Sequence, residues 1–236
     1  MSDVDTFTLK KLQSGVFHRN LIIPANSLAN YLRPFCEPAL FHSEGMDEYH
    51  LSKAGSVFRL KYKGRYFCFA SAHQVEGAHY DYDQLCLLNY DTNNLLTSNR
   101  VVFPERPMDG SSNYDCLLFD FSESVTEGRL SNLGWYEPDQ FFDGNQTRKP
   151  LLACALGYPS FRNEIDYVEN RYGASPNIVW GEETRTAMSD RLAFTPNPQI
   201  EFDPRGMSGG PVFGITQESN QLFLFFAGIL TNATRR

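Results

Sequence analysis

The stretch SVFRLKYKGRYFCFAS, residues 56–71, does most to limit the fold. Residues 56–62 and 65–71 alternate or run apolar, as strands do, and Lys63-Gly64 between them is a compact hairpin signal. Similar segments recur at Gln84–Asn89, Cys116–Phe121, Leu151–Leu156, Arg191–Phe194, Pro211–Ile215 and Leu222–Leu230, with Gly, Pro, Asn and Asp punctuating the gaps. The 19 Phe and 12 Tyr residues favour strands over helices. A doubly wound α/β sheet would need a helix of about ten or more residues between successive strands. None is visible. One short helix is expected in Pro24–Leu32, before Pro34, and the Gly-, Asp- and Asn-rich stretch Ser122–Lys149 reads as a linker between two β halves. The expectation is an all-β sandwich or barrel.

The chain of 236 residues can bury a substantial core. Its formal charge is −7 and no run of Lys and Arg exceeds two or three residues, which argues against nucleic acid or an anionic membrane as the main partner. No segment approaches the ~18 consecutive apolar residues of a spanning helix, and MSDVDTFTLKKLQSG lacks the pattern of a signal peptide. The five cysteines are odd in number and lack metal-ligand spacing. Four lie in apolar runs (YFCFA, LCLLN, DCLLF, LACAL), where a reduced thiol packs as a small hydrophobe. These features point to a reducing, cytoplasmic setting, with no metal and no cofactor.

The chemistry begins at Gly206-Met-Ser-Gly-Gly-Pro-Val212. This stretch fits the G-x-S-x-G nucleophile elbow of α/β-hydrolases and also the longer G-x-S-G-G-P. A serine nucleophile needs a base to take its proton and an acid to orient that base. All five histidines (His18, His42, His50, His73 and His79) precede Ser208, and neither His nor Asp follows it. The elbow fails on chain order, since its acid and histidine follow the serine. The order His, Asp, Ser remains. His73 ends Phe69-Ala-Ser-Ala-His, directly after a strand, and Asp115 opens Asp-Cys-Leu-Leu-Phe-Asp, where apolar neighbours can bury it. Taken singly, His73 could be a satisfied buried imidazole and Asp115 a strand cap. Asp120 is a rival, but its odd offset from Asp115 points it to the other face. The segment His42–His50, with Glu44, Asp47 and Glu48, lacks metal-ligand spacing and reads as a polar loop, as does Tyr80-Asp-Tyr-Asp.

With Gly55-Ser-Val-Phe58 at the start of the hairpin, these segments together resemble the trypsin-like (chymotrypsin-fold) serine peptidases, most closely the disulfide-free bacterial and HtrA-type branch. Ala155-Leu-Gly-Tyr-Pro159 resembles the A-x-G-x-P strand ending that many members carry between Asp and Ser. The resemblance covers roughly residues 53 to 231. It implies two six-stranded antiparallel β-barrels with the active site in the cleft between them. It also implies His73 as general base, Asp115 as its orienting carboxylate, Ser208 as nucleophile and the N–H groups of Gly206 and Ser208 as the oxyanion hole. Thr231, in Gly228-Ile-Leu-Thr, falls near the substrate-binding strand end, where a serine hydroxyl commonly supports the triad aspartate. The implied division is an N-terminal extension (1–50), a first barrel with His73 and Asp115 (51–125), and a linker plus second barrel with Ser208 (126–236).

Four departures matter. Met207 stands where digestive and clotting proteases carry an aspartate that pairs with a newly cleaved N-terminus, so activation of that kind is not available. Gln74 replaces the cysteine that follows the triad histidine in secreted members. At the base of the specificity pocket stands Phe202, beside Asp203; the ring suits a small or apolar side chain, and Asp203 a basic one. The second barrel lacks its last strand, so its edge is open, or is completed by the N-terminal fifty residues or by another chain. The expected activity is serine endopeptidase hydrolysis of protein or peptide substrates through an acyl-enzyme, regulated by association with a protein partner and serving stress response or defence. The alternatives are a silent protease-like binding module and a small-ester hydrolase using the same triad.

Overall fold

A computed structural model describes residues 15–42, 51–77, 85–89, 91–92, 94–104, 114–138, 149–166, 171–184, 192–219 and 221–231. His50, His79, the acidic residues Glu44, Asp47 and Glu48, and the Tyr80-Asp-Tyr-Asp loop lie outside the described residues. The chain is predominantly β. It begins with the hairpin β1 (Gly15–His18) and β2 (Leu21–Pro24), followed by the short helix α1 (Leu28–Leu32), within the stretch Pro24–Leu32 where one is expected. Next come β3 (Cys36–His42), β4 (Leu51–Tyr62), β5 (Arg65–Ala70), α2 (Ala72–Gly77), β6 (Leu85–Asn89), β7 (Asn94–Thr97), β8 (Arg100–Val102), β9 (Leu117–Asp120) and α3 (Ser122–Thr126). The later strands are β10 (Leu152–Gly157), β11 (Asn163–Asp166), β12 (Arg171–Ala174), β13 (Asn177–Thr184), β14 (Ala193–Pro196), β15 (Pro211–Glu218) and β16 (Gln221–Ile229).

The first sheet runs β7-β6-β3-β4-β5-β9-β8. Its β4–β5 hairpin turns at Lys63 and Gly64, both with positive φ (49° and 77°), the backbone that a two-residue turn between twisted strands requires. The end strands β7 and β8 are consecutive in the chain, separated only by Ser98 and Asn99. Their linked ends therefore lie within about 10 Å, and the sheet has to curl. The second sheet runs β14-β13-β10-β15-β16-β1-β2, and β11 and β12 form a separate hairpin.

Strand periodicity divides the core. In β4, Val57 faces a cluster within the curl of the first sheet with Phe41, Cys68, Leu85, Leu117 and Phe119, whereas Phe58 and Leu60 face the second sheet. There they meet Leu156, Phe213 and Leu224, with Tyr136 between the sheets. In β10, Cys154 and Leu156 join this shared core, and Ala153 and Ala155 face the opposite side with Val212. Strand β4 is thus sandwiched between two cores, and truncating Phe58 or Phe213 would cost about 3–5 kcal/mol.

Several expectations change. Cys36–His42, placed in an N-terminal extension, is a central strand of the first sheet, and β1 belongs to the second. The β16 edge is completed by the N-terminal segment: β1 pairs with it in parallel, Val16 opposite Leu222. The described part of the expected linker is not wholly solvated: it buries Leu130, Leu133 and Tyr136, at 0%, 8% and 1% exposure. Tyr136 exchanges backbone bonds with Arg59 and Lys61, at 3.0 and 2.7 Å. All five cysteines are free thiols. Cys36, Cys68, Cys86 and Cys154 are buried, and burial pushes Cys86 and Cys154 up to about 12; Cys116 is partly exposed.

Candidate active site

His73 is the second residue of α2, directly beyond the end of β5, and Asp115 stands two residues before β9. Because β5 and β9 pair with Ala70 opposite Leu117, the start of the helix and the segment leading into β9 are adjacent. The Asp115 carboxylate grips His73 at two points: Oδ2 lies 2.6 Å from the ring Nδ1, and Oδ1 accepts the backbone N–H at 2.9 Å. The Ser71 hydroxyl completes a triangle, donating to Asp115 Oδ2 at 2.8 Å and lying 2.6 Å from His73 Nδ1. A ring held at Nδ1 by a carboxylate has its tautomer and orientation fixed, with Nε2 left for a reaction partner. The His73 side chain is half exposed (52%) and that of Asp115 less so (23%). Ser71 is fully buried and was not singled out from the sequence, although a serine two positions before the histidine was visible there.

Ser208 is half-buried in the loop before β15. Gly206 and Gly209 flank it with φ of +93° and +81°, a backbone that favours glycine. Neither position has room for a side chain. A Cβ on Gly206 would lie 2.6 Å from Ser160 Oγ, and one on Gly209 would lie 2.1 Å from the Ser56 carbonyl oxygen. The loop is tied to itself and to the end of β16 almost residue by residue. The N–H of Arg205 reaches Asp203 Oδ1 (3.0 Å), Met207 reaches Pro204 O (3.0 Å), Gly209 reaches Leu230 O (2.7 Å) and Gly210 reaches Met207 O (3.1 Å). Among the described residues, the N–H groups of Gly206 and Ser208 donate to no hydrogen bond. Two unpaired donors, one on the serine and one two residues before it, are the requirement of an oxyanion hole.

No protein-family model matches the chain, and no curated protein matches it. The functional reading therefore rests on the site. Gln74, next to His73, donates from Nε2 to the Ser208 carbonyl at 2.5 Å, which sets the Ser208 backbone against the helix that carries His73. Among the described residues no hydrogen bond joins His73 to the Ser208 hydroxyl. Nucleophile–base contacts of this kind are often long in the absence of substrate.

The remaining predicted positions fall into two groups. Phe202 packs against Phe161, with ring centroids 5.7 Å apart, and Phe161 is 54% exposed. Asp203 is already engaged by the Arg205 guanidinium, at 2.6 Å from Nε and 2.5 Å from Nη2, so a basic substrate group would have to compete. Thr231 lies just past β16 and makes no hydrogen bond to Asp115 among the described residues; the hydroxyl on that carboxylate is Ser71's. Asp120 faces Arg65, Arg100 and Ser122 instead. Among the described residues no group of three His, Cys, Asp or Glu side chains could hold a metal, and no helix is long and apolar enough to cross a membrane.

Proposed function

We propose that this chain is a serine endopeptidase of the trypsin-like kind, with two barrel-like halves meeting at the site. The observation that supports it best is the pairing of a carboxylate-held His73 with a glycine loop whose unpaired donors are those of Gly206 and Ser208. In the reaction, Ser208 Oγ bonds to the scissile carbonyl carbon while His73 Nε2 takes the hydroxyl proton. The carbonyl π electrons move to the oxygen, which is met by the two N–H groups, and Asp115 balances the imidazolium charge. Collapse breaks the C–N bond, and the leaving amine takes the proton from His73. Water then repeats the sequence in reverse on the acyl-enzyme. Each oxyanion donor is worth about 3–4 kcal/mol of transition-state stabilisation. The Phe161–Phe202 pair suits a substrate side chain that is apolar or small, presented by a peptide or protein in the cytoplasm.

The test is a fluorophosphonate probe, on which Ser208 Oγ displaces fluoride from phosphorus as its proton passes to His73. The expected result is a single labelled peptide containing Ser208, absent in Ser208→Ala. A folded wild-type chain that takes up no probe would refute the reading.

A further inference from the structure

An oxyanion hole works only if its donors point outward before the substrate arrives, and four peptide groups of the Ser208 loop show what holds them. A trans peptide sets its C=O and N–H on opposite sides. The direction of the Gly206 N–H is therefore fixed by whatever holds the Arg205 carbonyl, and that of the Ser208 N–H by whatever holds the Met207 carbonyl. Arg205 O accepts the Ser160 N–H at 2.7 Å, and Met207 O accepts the Gly210 N–H at 3.1 Å. The next carbonyls are held from the other sheet. Gly206 O accepts the Ser56 hydroxyl at 2.8 Å, and Ser208 O accepts the Ser56 N–H at 2.9 Å together with Gln74 Nε2. The same Ser56 oxygen accepts the Tyr158 N–H at 2.8 Å, and Tyr158 O in turn takes the Lys53 ammonium at 2.9 Å. Ser56 is fully buried and Gln74 nearly so.

We propose that Ser56, which clamps the Ser208 loop to Tyr158 at the end of β10, and the Ser160 N–H, which holds Arg205 O, are positioning groups that together preset the oxyanion donors. Turning the 205–206 peptide over would break the Ser160 bond and bring the Arg205 carbonyl into the space meant for the substrate oxygen. The clamp stands in for the ion pair that Met207 cannot make. The hole is consequently formed without a newly cleaved N-terminus. This inference rests on the serine-hydrolase reading above.

Two variants test it. Ser56→Ala removes the bridging hydroxyl. Ser160→Pro replaces the N–H that holds Arg205 O with a ring Cδ, which cannot donate and pushes that carbonyl away, and it also removes the Ser160 hydroxyl: the site is exposed and opens a single 3-10 turn, where proline's φ fits, and Pro159 before it is already extended (φ −63°, ψ 141°). Saturation kinetics with the fluorophosphonate, normalised to folded protein by thermal melting, should show the maximal labelling rate falling about 100- to 1,000-fold in both. The concentration for half-maximal rate should stay within about threefold of wild type, a split that general loosening of the fold would not give. If Ser56→Ala does not fold, Ser160→Pro decides alone. A folded Ser160→Pro labelled as fast as a reactive wild type overturns the clamp and leaves the hydrolase reading standing. An unreactive wild type overturns the hydrolase reading itself.

Discussion

Asp115 and Asp120 bracket the same short strand, and their surroundings differ in kind. Asp115 is met by a hydroxyl, a backbone N–H and an imidazole, from Ser71 and His73. Asp120 is met by the Arg65 guanidinium, Arg100 Nε at 3.1 Å, and the Ser122 hydroxyl and N–H at 2.5 and 3.1 Å. Burial pushes the Asp120 carboxyl up, but the Ser122 bonds and Arg65 outweigh burial and hold it below the usual carboxylate range. A carboxylate already neutralised by permanent cations has little field left for a transient one. A carboxylate held by neutral donors keeps its charge for an imidazolium that forms only during reaction. The first arrangement builds a strand end, and the second suits catalysis.

The sharpest way to break this comparison is Asp115→Asn. It preserves shape and hydrogen-bonding capacity but favours the wrong imidazole tautomer, so reactivity of Ser208 should fall about 10⁴-fold. Thermal melting should move little. Comparable reactivity in the variant would show that Asp115 is as structural as Asp120.

Asp120→Asn should do the converse, leaving reactivity per folded molecule unchanged and lowering stability. The Asp120 side chain is 7% exposed, whereas Arg65 and Arg100 are 44% and 56% exposed. Solvent screens part of the attraction, and the loss should be about 2 kcal/mol by urea unfolding. The pH dependence carries the sign. A carboxyl whose folded pKa lies below its unfolded value of about 3.9 contributes stability that is full above that pH and lost as pH falls through the folded value. Wild type should therefore lose stability more steeply than Asp120→Asn below about pH 4. Parallel acid profiles would remove the electrostatic role of Asp120.

Strand alternation and chain order, both local signals, distinguish these two aspartates in the sequence. The β4–β5 hairpin was legible for the same reason: its period and its Lys63-Gly64 turn lie within sixteen consecutive residues, 56–71. What was missed depends on distant partners. Strand β3 is broken in sequence by Glu37 and Pro38. Glu37 is tolerated inside only because Arg59 Nη1 lies 2.8 Å from it, and Pro38 sits at a register shift in the ladder. The parallel pairing of β1 with β16 leaves no periodic trace, and Leu130, Leu133 and Tyr136 are buried from an irregular backbone that reads as linker. Ser56, Ser71 and Gln74 are common residue types whose roles come wholly from tertiary partners. The hydroxyl expected beside Asp115 from Thr231 comes instead from Ser71.

Ser71 gives the finest test of the contrast, because it is the neutral donor that Asp115 has where Asp120 has cations. Its hydroxyl shares Asp115 Oδ2 with His73 Nδ1, each bond orienting the carboxylate for the other. In Ser71→Ala the carboxylate keeps both contacts to His73 and loses one lateral restraint, so the proposed triad survives with a less fixed acid. A single hydrogen bond of this kind is worth about 1 kcal/mol, which corresponds to a roughly fivefold slower labelling of Ser208. Ser71→Thr retains the hydroxyl and should recover the rate if the buried site accepts the extra methyl group, a condition that its melting temperature reads directly. A loss approaching that of Asp115→Asn would mean that the hydroxyl, rather than the carboxylate grip on Nδ1 and the backbone, holds the imidazole in place.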